Sequence, residues 1–219
     1  MIKYVIFDFD GTLVDSKDVF ISSWNTLAEK RKYRMIKTRD IELLKKMSMK
    51  ERIKYMQFPI YKIPFVVPHM YQLYRESIQN ISLFQGIKNI LDEIERNGVK
   101  TAIISSNAEE NITYFLKKHD VKISNVLCSS KIFCKDKLIK RFLKKNSLHE
   151  SEVIYVGDEQ RDVIACKKSG VKMIWVGWGY DTYQTVKKEK PDYMVYTPHE
   201  LLKVIQEEYR DSKCLKKEN

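Results

Sequence analysis

The residues best able to do chemistry fall where apolar runs end. The run at 2–9 (IKYVIFDF) leads into Asp8-Phe9-Asp10-Gly11. The run TAII is followed by Ser105, Ser106 and Asn107. A third run, EVIYV, is followed by Gly157, Asp158 and Glu159, with Asp162 four residues after Asp158. Lys135 opens the helical pattern that precedes this third run. If these groups meet, they form a pocket of several carboxylates, a hydroxyl and an ammonium. Two carboxylates ~4 Å apart repel by about 4 kcal/mol at an effective dielectric of about 20, so such a cluster needs a cation or raised pKa values. An all-oxygen donor set without His or Cys suits a hard divalent ion, Mg²⁺ above all. A metal with open positions binds phosphate oxygens, and hydroxyls, backbone N–H groups and a lysine complete a phosphate site.

What must position these groups is a regular alternation. After the run at 2–9, Asp10-Gly11 predicts a tight turn, with Thr12–Val14 pairing back as a small hairpin. Asp15 and Ser16 offer helix caps, and a helix is expected over about 17–31. From about 86 onward, helices are expected at Ile87–Arg96, Glu109–Lys118, Lys137–Lys145, Arg161–Ser169 and His199–Glu208. They alternate with strands at Val99–Ser105, Val126–Cys128, Glu152–Val156 and Val171–Val176. This predicts an α/β fold: a Rossmann-like, doubly wound parallel sheet with helices on both faces. Ligands bind such sheets beyond the carboxyl ends of the strands, where the chemistry-bearing residues sit.

Residues 16–85 read differently. Apolar positions recur there at helical spacing, as in Val19, Phe20, Trp24 and Leu27, and Pro59, Pro64 and Pro68 punctuate the later part. The stretch Ile63–Val67 is ambiguous between helix and strand. The expected organisation is therefore a core of 1–15 and 86–219 with an inserted helical unit at 16–85.

Bulk composition narrows the class. The 219 residues are 43% hydrophobic and 32% charged, enough for one full core and a smaller appendage. No apolar run approaches the ~20 residues that span a bilayer, which predicts no membrane partner and a cytoplasmic protein. Cys128, Cys134, Cys166 and Cys214 form no CxxC pair and the four histidines are scattered, against a zinc framework or disulfide scaffold. Net charge is +11, and 30–54 holds eleven Lys or Arg against three acids, a local net of +8. That field can draw an anionic substrate or nucleic acid. The segment lacks the recurring aromatic platforms of a single-strand binder, which argues for a solvated basic face over a nucleic-acid surface.

DFDGTLVDS, through Asp8, Asp10, Gly11, Thr12 and Leu13, resembles the first signature of the haloacid dehalogenase-like hydrolases. Ser105 after TAII resembles the second, Lys135 in KIFCKDK the third, and GDEQRD with Asp158 and Asp162 the fourth. WVGWGY and PDYMVYTPHELL resemble the C-terminal segment of the phosphoglycolate-phosphatase-like branch. The resemblance implies Mg²⁺-dependent hydrolysis of a small phosphorylated metabolite, phosphoglycolate being one candidate, through an aspartyl-phosphate on Asp8. It implies Asp10 as general acid and base, and Ser105 with nearby N–H groups (Ser106, Asn107, Gly11) as the phosphoryl grip. Lys135 would neutralise charge, and Asp8, the Asp10 carbonyl and Asp158 would hold the metal. Asp162 and Glu159 would act from behind these ligands. The helical unit would be a cap that closes over the pocket and chooses the substrate, with Arg52 and then Lys50 as candidates for reading a second anionic group.

Plainer readings stand beside these. Asp-Gly alone makes turns, Ser105–Asn107 can cap a helix, and Lys137 rivals Lys135, because the proline frequent after this lysine in the resembling family is replaced by Asp136. A phosphomutase would share the aspartyl-phosphate chemistry. A non-catalytic binding protein would use the basic surface instead.

Overall fold

The computed structural model describes residues 1–129 and 134–214. The chain opens on β1 (Tyr4–Phe7), all four residues buried, as expected of a strand covered on both faces. The tiny β2 (Val14–Asp15) follows. Then come α1 (Lys17–Arg31), α2 (Ile41–Lys45), α3 (Met49–Tyr55) and α4 (Ile63–Glu76). β3 (Ser82–Leu83) leads into the alternating part: α5 (Ile87–Arg96), β4 (Lys100–Ser105), α6 (Glu109–Lys118), β5 (Asn125–Cys128), α7 (Lys135–Lys145), β6 (Val153–Gly157), α8 (Gln160–Ser169), β7 (Lys172–Val176), α9 (Tyr183–Val186), β8 (Tyr193–Val195) and α10 (Pro198–Cys214).

The main sheet has the order β5-β4-β1-β6-β7-β8, every pairing parallel. Counting only its own strands along the chain gives 3-2-1-4-5-6, the doubly wound order whose ligand crevice opens where the order reverses. Alternate strand residues feed two apolar layers. Val5, Phe7, Ile103, Val156 and Ile174 pack with α5, α6 and α10, whose contributions include Ile90, Ile94, Phe115 and Leu201. Tyr4, Ile6, Ile104, Tyr155 and Trp175 pack on the other face with Ile139 and Phe142 of α7 and Val163 and Cys166 of α8. In α5 the buried Ile87, Ile90, Leu91 and Ile94 follow the i, i+3, i+4, i+7 stripe of an amphipathic helix.

The expected hairpin differs in one respect. Asp10 and Val14 form an isolated bridge, but Val14–Asp15 pairs antiparallel with Ser82–Leu83 instead of returning to β1. These two-residue strands are where the four helices leave the sheet and rejoin it. The helices have their own apolar cluster, with Trp24, Leu27, Ile53, Phe58 and Val66 at its centre. The ambiguous Ile63–Val67 stretch is the start of α4: Pro64 occupies the first turn, where a missing N–H costs little, and Val66 is buried. The sequence reading also missed the short β8, three residues on a sheet edge. Among the described residues, no helix is long and apolar enough to cross a membrane.

Candidate active site

Asp8 stands one residue beyond the buried end of β1, and its backbone N–H donates to the Val156 carbonyl of β6 (2.9 Å). Its neighbours come from the adjacent strand ends. Lys135, the first residue of α7, is buried and donates from Nζ to Asp8 Oδ2 (2.5 Å) and to Asp162 Oδ1 (2.5 Å). The expected helix start at 137 is thus two residues late: Lys135 lies in the first turn, while Lys137 and Lys140 face solvent. Burial would lower the Lys135 pKa, but Asp162 and Asp8 outweigh it and hold the ammonium charged, above the usual lysine range. Lys131–Phe133 of the third signature lie outside the described residues, as does the side chain of Cys214. Cys128, Cys134 and Cys166 are free thiols.

Asp158 follows β6 and is fully buried. Its Oδ1 accepts from Thr12 Oγ1 (2.8 Å) and its Oδ2 from the Tyr180 N–H (2.7 Å). Trp175 donates its indole N–H to the Asp158 carbonyl (2.7 Å), and Trp178 donates to the Thr12 carbonyl (3.1 Å). Two glycines make room for this carboxylate. Gly11 has φ of +76°, and a Cβ on Gly11 or on Gly179 would overlap Asp158 side-chain atoms. Gly11 therefore serves the acid behind it as well as the turn.

Glu159 and Asp162 are buried beside Asp8, and one carboxylate oxygen from each of the three lies within 4.8 Å of the others. This trio is partly neutralised from within. Lys135 bridges Asp8 and Asp162, while Glu159 accepts from Arg161 Nε (2.6 Å) and pairs with Arg52 Nη1 (3.4 Å). Burial raises the Glu159 pKa, but Arg161, Arg52 and Lys135 reverse that and hold it below the usual range. Asp162 is pushed up to about 6 by burial, against the pull of Lys135. Asp158 is different. Among the described residues no ion pair reaches it, and burial, reinforced by Glu159, Asp8 and Asp162, drives its pKa well above the usual carboxylate value. Burial disfavours the charged form of Asp158, so added positive charge would favour it, and the neighbouring group of Asp8, Glu159 and Asp162 oxygens could hold a hard divalent cation. Glu159 and Asp162, expected behind the metal ligands, come as near to Asp8 as any ligand would. Each is also ion-paired, Glu159 to Arg161 and Arg52 and Asp162 to Lys135.

Asp10 turns away from this cluster, and only its backbone remains available there. Its Oδ1 accepts from Ser16 Oγ (2.6 Å) and Tyr74 Oη (2.5 Å), and its Oδ2 accepts from Asn107 Nδ2 (2.8 Å). Burial raises its pKa, and these three donors and the Asp8 charge set how far. Ser105, at the end of β4, is buried, and its Oγ accepts from the Asn107 N–H (3.1 Å). Ser106 is half-buried at the pocket edge, its carbonyl accepting from Tyr71 Oη. All the core residues singled out in the sequence thus gather at the carboxyl edge of β1, β4 and β6.

The two insert residues separate. Arg52 of α3 reaches the core, where Nη1 and Nη2 meet Glu159 and Asp181 and Nε donates to the Leu44 carbonyl (2.9 Å). Its charge is spent on protein groups, not left for a substrate anion. Lys50 is exposed and does not line the cavity over the site. Tyr71, Tyr74, Arg161, Tyr180 and Asp181 went unnoticed in the sequence. Arg161, inside GDEQRD, and Tyr180, at the end of WVGWGY, lay within quoted motifs; Tyr71, Tyr74 and Asp181 depend on which face of an element meets the core.

A sequence model of the haloacid dehalogenase-like hydrolases matches residues 5–176. Among similar proteins, a phosphoglycolate phosphatase of Synechococcus elongatus is 28% identical, covering 92% of this chain and 96% of that one. A pyrophosphatase PpaX of Bacillus velezensis is 22% identical, covering 91% and 94%. In fold, the crystal structure of a predicted phosphatase from Clostridium acetobutylicum superposes with a TM-score of 0.83 at 20% identity, over 94% of this chain and 99% of that one. With the family match spanning most of the chain and the signature residues gathered at one sheet edge, the protein belongs to the haloacid dehalogenase-like hydrolases.

Proposed function

We propose that the protein is a Mg²⁺-dependent phosphatase that cleaves small phosphate monoesters through an aspartyl-phosphate on Asp8, with residues 16–85 acting as a cap on a core of 1–15 and 86–219. The observation that carries this reading is the buried pairing of Asp8 with Lys135 near Asp158, a carboxylate that has no ion pair among the described residues. Lys135 holds Asp8 Oδ2 and the Phe9 N–H donates to Oδ1 (2.7 Å), so both contacts fix the carboxylate for attack on phosphorus in line with the leaving oxygen. Bound Mg²⁺, held by Asp8, the Asp10 carbonyl and Asp158, would screen the anionic ester from the anionic nucleophile. Ser105 and the amides of the following turn would receive the phosphoryl oxygens. Asp10, its pKa raised by burial, is suited to carry a proton to the leaving oxygen, then to take one from the water that attacks the phospho-aspartate.

The test is phosphate release from a panel of monoesters, phosphoglycolate included, with Mg²⁺ and with chelator. Expected is metal-dependent turnover that Asp8→Asn abolishes while the far-ultraviolet circular dichroism stays unchanged. Turnover undiminished in Asp8→Asn would refute the reading.

A further inference from the structure

Above Asp10, Ser106 and Asn107 a cavity of about 200 Å³ runs up into the helical insert. Its polar floor is the core edge just described. Its walls are apolar, with Ile21 from α1, Ile41 and Leu44 from α2, Met49 from α3 and Met70 from α4. Four cationic side chains also touch it. Arg52 and Arg161 hold Asp181 and Glu159, while Lys45 and Lys17 pair with the exposed acids Glu42 and Asp18 of their own helices. Of these four, the two arginines are held by buried acids, and the two lysines have only loose pairs with exposed acids.

Resting on the phosphatase reading, we propose that the leaving group this site accepts is apolar: an alkyl or aromatic alcohol of about six to eight carbons, esterified to phosphate. The position of the cavity makes the link. A phosphoryl group between Asp8 and Ser105 directs its ester oxygen toward Asp10, and whatever the oxygen carries must enter the chamber beyond. A carboxylate against the apolar wall would lose its hydration and could gain an ion pair only by drawing Lys17 or Lys45 from the acid on its own helix, whereas a hydrocarbon needs no such partner. A hydrocarbon gains roughly fourfold per buried methylene in kcat/KM (~0.8 kcal/mol each). The volume sets the size, since a cavity of ~150 Å³ lined by Leu, Ile and Phe is enough for benzene. The methionines in the wall adapt to irregular shapes, which favours a range of related alcohols over a single one. This turns the acidic leaving group expected from the sequence into the disfavoured one.

The experiment compares kcat/KM for methyl, n-butyl, n-hexyl and benzyl phosphate and for phosphoglycolate, in saturating Mg²⁺, with Asp8→Asn as control. We expect n-hexyl and benzyl phosphate to exceed both methyl phosphate and phosphoglycolate by about thirtyfold or more. We expect Ile41→Gln and Met70→Gln to pull the hexyl-to-methyl ratio down several-fold, and n-hexylphosphonate to inhibit more tightly than methylphosphonate. Phosphoglycolate turned over as well as n-hexyl phosphate, with both activities lost in Asp8→Asn, would overturn the apolar leaving group and leave the phosphatase reading intact. An unchanged hexyl-to-methyl ratio in both cavity variants would overturn it too. No Asp8-dependent turnover of any ester would bring down the underlying reading and this proposal together.

Discussion

The core edge and the helical insert meet at one site but are built on opposite terms. At the core edge the functional groups follow strands or open helices beside a parallel ladder, and most are polar and buried, with Asp10 and Ser106 half-buried. In the insert the cavity wall is apolar, drawn from four helices, and some of it, such as Leu44, also belongs to the insert's own core. The core edge gathers charge that must be balanced, so it tolerates few replacements. The insert supplies shape and dryness, which many apolar residues can supply. On the proposed reading, one region serves the reaction and the other the choice of what reacts.

Asp10→Asn probes the reacting side most severely, because it keeps the shape and removes the proton. A loss of about 10²–10⁴ in kcat is expected. The companion variant is Tyr74→Phe. The Tyr74 hydroxyl donates to the Asp10 carboxylate and so favours its ionised form. Without it the Asp10 pKa should rise. An acid that must be protonated loses activity as pH climbs past its pKa, so the alkaline limb of kcat should move to higher pH. A limb that moves down, or stays put, would separate Asp10 from the proton transfer.

Next is Lys135→Met. It leaves Asp8 and Asp162 buried with no ammonium between them, and removing one partner of a buried pair costs about 3–5 kcal/mol. Denaturant unfolding should show that loss, whereas Lys137→Met, on the exposed face, should change stability by less than ~0.5 kcal/mol. Equal effects would mean that the buried pair does not set stability.

The same contrast explains what could be read from the sequence. Asp8, Asp158 and Ser105 stand out because strand–helix alternation fixes where strand ends go, and a carboxylate closing an apolar run has few reasons to be there. Lys135 required the buried contact to separate it from Lys137, since a lysine-rich helix start offers several equivalent candidates. The pairing of Arg52 with Asp181 spans 129 residues and two elements with no sequence period in common. The direction of Tyr74 depends on how α4 leans on the sheet. The cavity, finally, is an absence of atoms among apolar residues whose pattern reads only as a helix core. Charge at a strand end is local information; the fit between two packed surfaces is not.

Metal addition gives a smaller effect. Asp162 and Asp181 are each pushed up to about 6 by burial, against Lys135 and Arg52 respectively, and unfolded carboxyls titrate near 4. Between those values the folded chain binds more protons than the unfolded one. Metal-free stability should therefore be greatest below about pH 4, as far as these two groups go, and fall as pH rises to about 6. Mg²⁺ at 100 times its dissociation constant should stabilise the fold by about 2.7 kcal/mol. That gain should be larger at pH 7.5 than at pH 5, where protons compete for the same carboxyls, and Asp158→Asn should remove most of it. An equal gain at both pH values would put the ion somewhere other than this cluster.

The smallest effect tests the seam between the two regions. Arg52 lies in the insert, but its guanidinium is held by Glu159 and Asp181 of the core, while the Lys45 carbonyl accepts from Thr182 N–H (3.2 Å) and Thr185 Oγ1 (3.0 Å). If Arg52 read a second anion on the substrate, Arg52→Met would penalise carboxylated esters alone. If it instead straps the insert over the pocket, the variant should lower kcat/KM for every ester by a similar factor, about tenfold or ~1.4 kcal/mol. The ratio between n-hexyl phosphate and phosphoglycolate should then stay constant. Asp181, stripped of the cation that lowers its pKa, should titrate above its present value of about 6, so the defect should deepen as pH rises and the uncompensated carboxylate ionises. A loss confined to phosphoglycolate would return Arg52 to substrate recognition and make the choice of leaving group a matter of charge instead of shape.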